Sequence, residues 1–409
     1  MYGLLHGLRV VEGAAFIAGP SCGLHLAQMG AEVIRFDHIG GGPDFGRWPL
    51  APSGASLYWE GLNKGKKSIA IDLGSPAGRE LAVALATAPG PEAGLFLTNY
   101  PVDGFLSYEH LRAARNDVIC LRIMGWPDGS PALDYTVNAA VGIPAMTGPV
   151  NDPAPVNHVL PAWDLLAGSY AAFALLAAER ERRLSRVGRE VRIALSDLAA
   201  ASLSHMGFVA EVSNTGRDRE RLGNDLYGAF GRDFITRDGR RVMVCAITPR
   251  QWSSIVSTLG LKDAVAALEH ELGVSFAKDE GQRFVHRARL YPLFEAAFAT
   301  RVTADLALAF DAAGVTWAPY QSLHEAVTSD ARLYAQNPMF EQILNPSGLT
   351  YLASGPAASM PGTTRQPLVR APRLGEHTDE VLAAVLGLSA AAIGRLHDQR
   401  LVASAEHAP

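Results

Sequence analysis

Along the first two hundred residues, short apolar runs alternate with segments of helical periodicity. Leu8–Glu12, Glu32–Phe36, Ser68–Leu73, Gly94–Thr98, Val118–Ile123 and Val191–Leu195 have strand length and are mostly apolar, each with one or two polar residues, which predicts buried strands. Between them, Pro20–Met29 carries proline at its first turn, and a second helix is predicted from an N-cap at Ser75, with Pro76 at its first position, to about Ala88. Strands alternating with helices predict an α/β domain: a Rossmann-like parallel sheet with helices on both faces. The pattern changes after about Asn224. Phe234–Arg237 and Arg241–Val244 flank Asp238-Gly239, a pair suited to a positive-φ turn, and so predict a hairpin. Helical segments follow from Pro249 to about Phe310. The last eighty residues read as proline-rich loops and then two helices, Thr378–Leu386 and Ala390–His397, with Gly387 as the cap between them.

The domain organisation predicted from this pattern is a large domain whose N-terminal part spans 1–200, a linker over 201–224, a smaller α+β domain over 225–325, and a final segment, 326–409, that returns to the large domain. A length of 409 residues fits two cores better than one.

Composition narrows the function classes. Hydrophobic residues make up 48% and charged residues 19% of the chain, which is globular, and a net charge of −5 offers no footprint for nucleic acid or an anionic membrane. The longest apolar stretch, Val159–Ala178, contains Pro161 and Asp164. An aspartate at a bilayer centre costs roughly 2.5–3.5 kcal/mol, so a buried core helix is predicted instead of a membrane span. Cys22, Cys120 and Cys245 lie far apart in apolar surroundings. They predict buried free thiols, no zinc site and a reducing, cytoplasmic location. No signal-peptide pattern opens the sequence.

Several motifs have plain readings. Gly19-Pro20-Ser21-Cys22-Gly23 matches G-x-S-x-G, but the preceding strand ends about seven residues too early for a nucleophile elbow, so small residues packing a loop against a helix are expected. Gly40-Gly41-Gly42-Pro43 follows the second strand and lacks dinucleotide-binding spacing. The charged run Arg180–Arg192 alternates with glutamates, as on a solvated face. Asp164 opens the apolar helix and carries two readings. It is an N-cap, or it is a sheltered carboxylate kept ionised by helix amides and able to accept an acyl group.

Family resemblance weighs between these two. Leu8-Arg9-Val10-Val11-Glu12, Ala18-Gly19-Pro20, Gly30–Arg35, Asn63–Ile69 with Asp72-Leu73, Gly314-Val315 with Ala318-Pro319-Tyr320, and Pro372–Thr378 together resemble the class III CoA transferases over essentially the whole chain. The resemblance implies that Asp164, in Ala162-Trp163-Asp164-Leu165, is the nucleophile and that Asp134 is a supporting acid. It places Phe16, His38, Ile71, Leu73, Asn99 and Tyr100 against CoA, and Ile17, Arg47 and Trp48 against the acyl half of the substrate. Departures narrow the chemistry. Leu133 stands where the racemase branch carries a histidine, Ile17 replaces a substrate-binding glutamine, and Asn99–Asp103 is a shortened CoA-binding segment without its arginine. The blocks Val156–Asp164, Gly223–Phe234, Asp134–Asn138 and Thr316–Tyr320 resemble one branch of the family. Its implied activity is intramolecular CoA transfer from C1 to C4 of mesaconate (2-methylfumarate). Transfer between separate molecules and 2-methylacyl-CoA racemisation are the alternatives. The resemblance further implies an interlocked homodimer, no metal and no permanently bound cofactor, with CoA present only as part of the substrate, and neither a nucleic-acid nor a membrane partner.

Overall fold

The computed structural model describes residues 1–405, which form two compact units. The larger comprises residues 1–141, 158–211 and 334 onward. Its sheet uses β1 (Arg9–Gly13), β2 (Glu32–His38), β3 (Lys67–Ile71), β4 (Leu95–Thr98), β5 (Ile119–Met124) and β6 (Arg189–Ala194). All six predicted strands are present and mutually parallel, in the spatial order β3-β2-β1-β4-β5-β6. That is the doubly wound order, whose switch point lies between β1 and β4. Near the chain's end the short strand Val402–Ala403 pairs antiparallel with β3 at this edge, next to helix Thr378–Leu386. Gly387 ends that helix with φ +66°.

One face of the sheet is covered by helices Ala18–Gln28, Ala162–Ser185 and Leu195–His205, with Cys22, Leu26, Val10, Leu121 and Leu175 in its core. The opposite face is covered by Pro76–Ala86 and the C-terminal helices, around Phe36, Ile71, Phe96 and Leu382. Ser75 caps its helix as predicted, accepting from Gly78 N at 3.1 Å.

The smaller unit comprises residues 142–157 and 212–333. It pairs β7 (Phe230–Ile235), β8 (Arg241–Ala246) and β9 (Thr316–Pro319) antiparallel around an aromatic core that includes Phe230, Phe234, Phe294 and Phe298. The Asp238-Gly239 turn is where the dipeptide predicted it, with Gly239 at φ +75°.

Some features differ from the expectations. Helices Leu195–His205 and Phe208–Thr215 run through the segment read as the start of a linker. An antiparallel pair, Phe340–Leu344 with Thr350–Ser354, occupies part of the segment read as loops, where the alternation is too polar to stand out. Cys245 is half-buried. The charged run is not simply a solvated face, because Arg182 is 3% exposed and donates to the carbonyls of Ala93 at 2.8 Å and Gly94 at 3.3 Å. The G-x-S-x-G residues lie inside helix Ala18–Gln28, with Ser21 buried and donating to Ala18 O. Among the described residues, no helix is long and apolar enough to cross a membrane.

Helices Ala18–Gln28 and Ala162–Ser185 touch through small residues. A Cβ at Gly168 would stand 1.9 Å from Ser21 Oγ and 2.9 Å from Ala18 O. Gly168→Val is therefore expected to cost about 1–3 kcal/mol through overpacking. Urea unfolding should show a lower midpoint at unchanged slope.

Candidate active site

The switch point predicts the location of the site: ligands of doubly wound sheets bind outside the carboxyl ends of the strands where the order reverses. A cavity of about 460 Å³ lies there. It is lined by Phe16 and Ile17 after β1, Asn99 and Tyr100 after β4, Leu133, and Asp164. Five of the residues singled out from the sequence (Phe16, Ile17, Asn99, Tyr100 and Asp164) thus meet at one place.

Phe16 holds φ +67°, a strained conformation for a bulky residue, worth about 1–3 kcal/mol. Asn99 braces the backbone beside it: its Oδ1 accepts from Ala15 N at 3.1 Å and its Nδ2 donates to Ala15 O at 3.0 Å. The shortened segment after Asn99 has a support that sequence reasoning missed. The buried Arg122 guanidinium donates to the carbonyls of Tyr100 and Pro101, both at 2.7 Å, and of Leu106 at 2.8 Å, and pairs with Glu190 at 3.0 Å.

The start of helix Ala162–Ser185 corrects the cap reading of Asp164. The N-cap position is Pro161, and Asp164 is the third helical residue. The capping carboxylate comes from elsewhere in the chain. Asp134, 1% exposed, uses Oδ2 to accept from Trp163 N at 2.7 Å and from Asp164 N at 3.1 Å. Asp134 Oδ1 meets His158 Nε2 at 2.5 Å, and Trp163 Nε1 donates to Asn138 Oδ1 at 3.0 Å. Sequence reasoning singled out Asp134 but missed His158, whose partner is 24 positions away.

The helix amides therefore serve Asp134, and the expectation that they would hold Asp164 ionised is corrected. Burial pushes the Asp164 carboxyl up, the Asp134 carboxylate adds to the rise, and Arg47 opposes it, for a value of about 6. The group is half-buried, ionised at neutral pH and more basic than an ordinary aspartate. The Arg47 guanidinium carbon lies 5.7 Å from the Phe16 ring centre and 5.3 Å from that of Tyr58.

The other positions lie outside the cavity lining. Trp48 is 78% exposed. His38 accepts from Gly40 N at 3.2 Å and lies 3.5 Å from Asp72. Ile71 is fully buried in the sheet core, and Leu73 packs against that core.

If ionised Asp164 reacts, kcat/KM should fall tenfold per pH unit below about 6, and Arg47→Gln should move that limb upward. The raised value also has a stability sign. The charged carboxylate costs nothing below about pH 4, and the cost grows as pH rises toward 6. A shift of about two units corresponds to roughly 3 kcal/mol, discounted to about 1–2 for partial exposure. Asp164→Asn should therefore raise stability at pH 7, read by calorimetry.

Comparison with known proteins bears on the family and the fold. The family model described as CoA-transferase family III matches residues 5–378. The chain is 51% identical to the 2-methylfumaryl-CoA isomerase of Chloroflexus aurantiacus over 100% of both chains. It is 28% identical to the succinyl-CoA–D-citramalate CoA-transferase of the same organism, over 97% of this chain and 98% of the relative. The fold matches a CaiB/BaiF family protein from Brucella suis with a TM-score of 0.75 at 23% identity, over 94% of this chain and 100% of the other. With a matching family model across most of its length and a full-length relative at this identity, the chain belongs to CoA-transferase family III, a family of enzymes.

Proposed function

We propose that this enzyme moves CoA within one molecule, converting 2-methylfumaryl-CoA (mesaconyl-C1-CoA) into 3-methylfumaryl-CoA (mesaconyl-C4-CoA). One observation carries the chemistry: a carboxylate with a value of about 6, Asp164, stands on the wall of a cavity at the sheet's switch point. The choice of substrate rests on the full-length 51% identity to a 2-methylfumaryl-CoA isomerase.

Asp164 attacks the C1 thioester carbonyl, forming a mixed anhydride and releasing CoA thiolate. The thiolate attacks the aspartyl carbonyl of the anhydride, leaving an aspartyl-CoA thioester and bound mesaconate. The C4 carboxylate then attacks that thioester, and the released thiolate attacks the new anhydride at C4. This yields the C4 thioester and regenerates the Asp164 carboxylate. One thioester is broken and one formed, so no net bond energy is needed. The cavity must retain the free diacid and keep water from the anhydride, and an apolar residue such as Ile17 or Leu133 in its wall suits that task.

Turnover of mesaconyl-C1-CoA in the presence of labelled free mesaconate should give unlabelled C4 product, with an adduct at Asp164 detectable by mass spectrometry. Substantial label in the product would instead indicate transfer between separate molecules.

We further propose a homodimer. Leu166, Tyr170 and Phe173 form an exposed apolar row on helix Ala162–Ser185. Light scattering should give twice the 43.5 kDa chain mass, and Phe173→Glu should shift it toward the single-chain value.

A further inference from the structure

We propose that His158 is a positioning residue for Asp164, acting through the carboxylate of Asp134; this rests on the reading of Asp164 as the nucleophile.

The geometry is a three-part chain. His158 Nε2 lies 2.5 Å from Asp134 Oδ1. The other oxygen, Oδ2, accepts from the backbone amides of Trp163 and of Asp164 itself. Asp134 is 1% exposed, so both of its oxygens depend on protein donors. As a carboxylate, Asp134 can only accept, so His158 must donate, which requires a proton on Nε2. The ring is packed edge-on against Tyr135, with centres 5.8 Å apart, which limits its rotation. Fixing Oδ1 fixes the carboxylate plane, and that plane sets where the first helical turn, and hence the Asp164 side chain, begins. A displacement of about 1 Å at a reacting group costs on the order of a hundredfold in rate.

The same contact has an electrostatic role. Asp134 repels the charge on Asp164, whereas Arg47 favours it. A donor on the far oxygen withdraws part of the Asp134 charge. The groups bearing on this chain include Asp134 and Tyr135 from one helix, Asp164 from another, Arg47 from the loop after β2, and Tyr58, whose hydroxyl feels the Asp164 charge.

Two substitutions separate positioning from packing. His158→Phe keeps a ring against Tyr135 and removes the donor. His158→Gln keeps a donor and removes the ring. With mesaconyl-C1-CoA as the probe, His158→Phe is expected to lower kcat about ten- to a hundredfold with KM little changed. It should also move the acid limb of kcat/KM to higher pH. His158→Gln should recover most of the loss and return the limb toward its original position. Unchanged kcat in His158→Phe, or equal losses in both variants, overturns the inference.

Should His158→Phe not fold, the wild-type enzyme decides. In protein carrying 15N-labelled histidine, a proton on Nε2 of His158 at the pH of full activity supports the donor role, and an Nε2 without a proton overturns it. Trapping with hydroxylamine keeps the two levels distinct. A wild-type enzyme that forms no adduct at Asp164 removes the nucleophile reading and this inference with it. A normal wild-type adduct formed at an undiminished rate in folded His158→Phe removes this inference alone.

Discussion

A buried guanidinium organises the half of the molecule that carries the site. Arg35 on β2 is fully buried and would be intolerable there without counter-charges. It meets Asp37 at 2.9 Å, Asp44 at 2.9 Å and Glu12 at 3.5 Å, and stacks over Trp59 at 4.6 Å. Lys66 completes the cluster, donating to Glu12 at 2.8 Å, to Pro20 O at 2.8 Å and to Asn63 at 3.0 Å. Burial opposes the charge on Arg35, and Asp37, Asp44 and Glu12 outweigh it, so the guanidinium stays protonated. Burial likewise pushes Glu12 up, against the pull of Lys66. Because breaking a buried pair by removing one partner typically costs about 3–5 kcal/mol, the cluster ties β1, β2, the start of the first helix and the loop after β2 into one arrangement.

That arrangement accounts for two sequence features. The Asn63–Lys66 segment of the family resemblance supplies cluster members, so it is structural before it is anything else. Two of the three glycines after β2 let the chain turn back tightly enough for Asp44 to reach Arg35: Gly41 holds φ +86°, and a Cβ at Gly42 would stand 2.8 Å from Asp37 Oδ1. Anchoring Asp44 holds the loop that carries Arg47, the cation that moderates Asp164.

The helix N-terminus beside Asp164 is engaged by Asp134, and this division of labour matters chemically. A carboxylate that accepted those amides itself would be held well below the usual range and would be a poor nucleophile. Asp164 is instead close to the amides without using them, and burial beside Asp134 raises it to about 6. It stays ionised at neutral pH while keeping basicity, the combination an acyl acceptor needs.

The strands and their parallel pairing were legible in the sequence, because a sheet covered on both faces demands mostly apolar runs and its crossovers demand helices between them. The Asp238-Gly239 hairpin and the Ser75 and Gly387 caps were legible for an equally local reason: turn and cap geometry restricts the residue at a single position. Asp164 was legible as a residue, through the resemblance of its surroundings, but its electrostatic state was not. Spacing within one helix suggested a cap, whereas the capping oxygen arrives from Asp134, thirty positions earlier. Arg182 and Arg122 read as surface charge or went unremarked, because the carbonyls that surround them come from distant loops. His158 was legible only as part of a resembling block, because the carboxylate it meets lies 24 positions earlier. Local pattern determined the elements and their order, and the resemblance singled out Asp164. Tertiary structure alone decided which buried charges face one another, because desolvation and pairing depend on distances that no single segment contains.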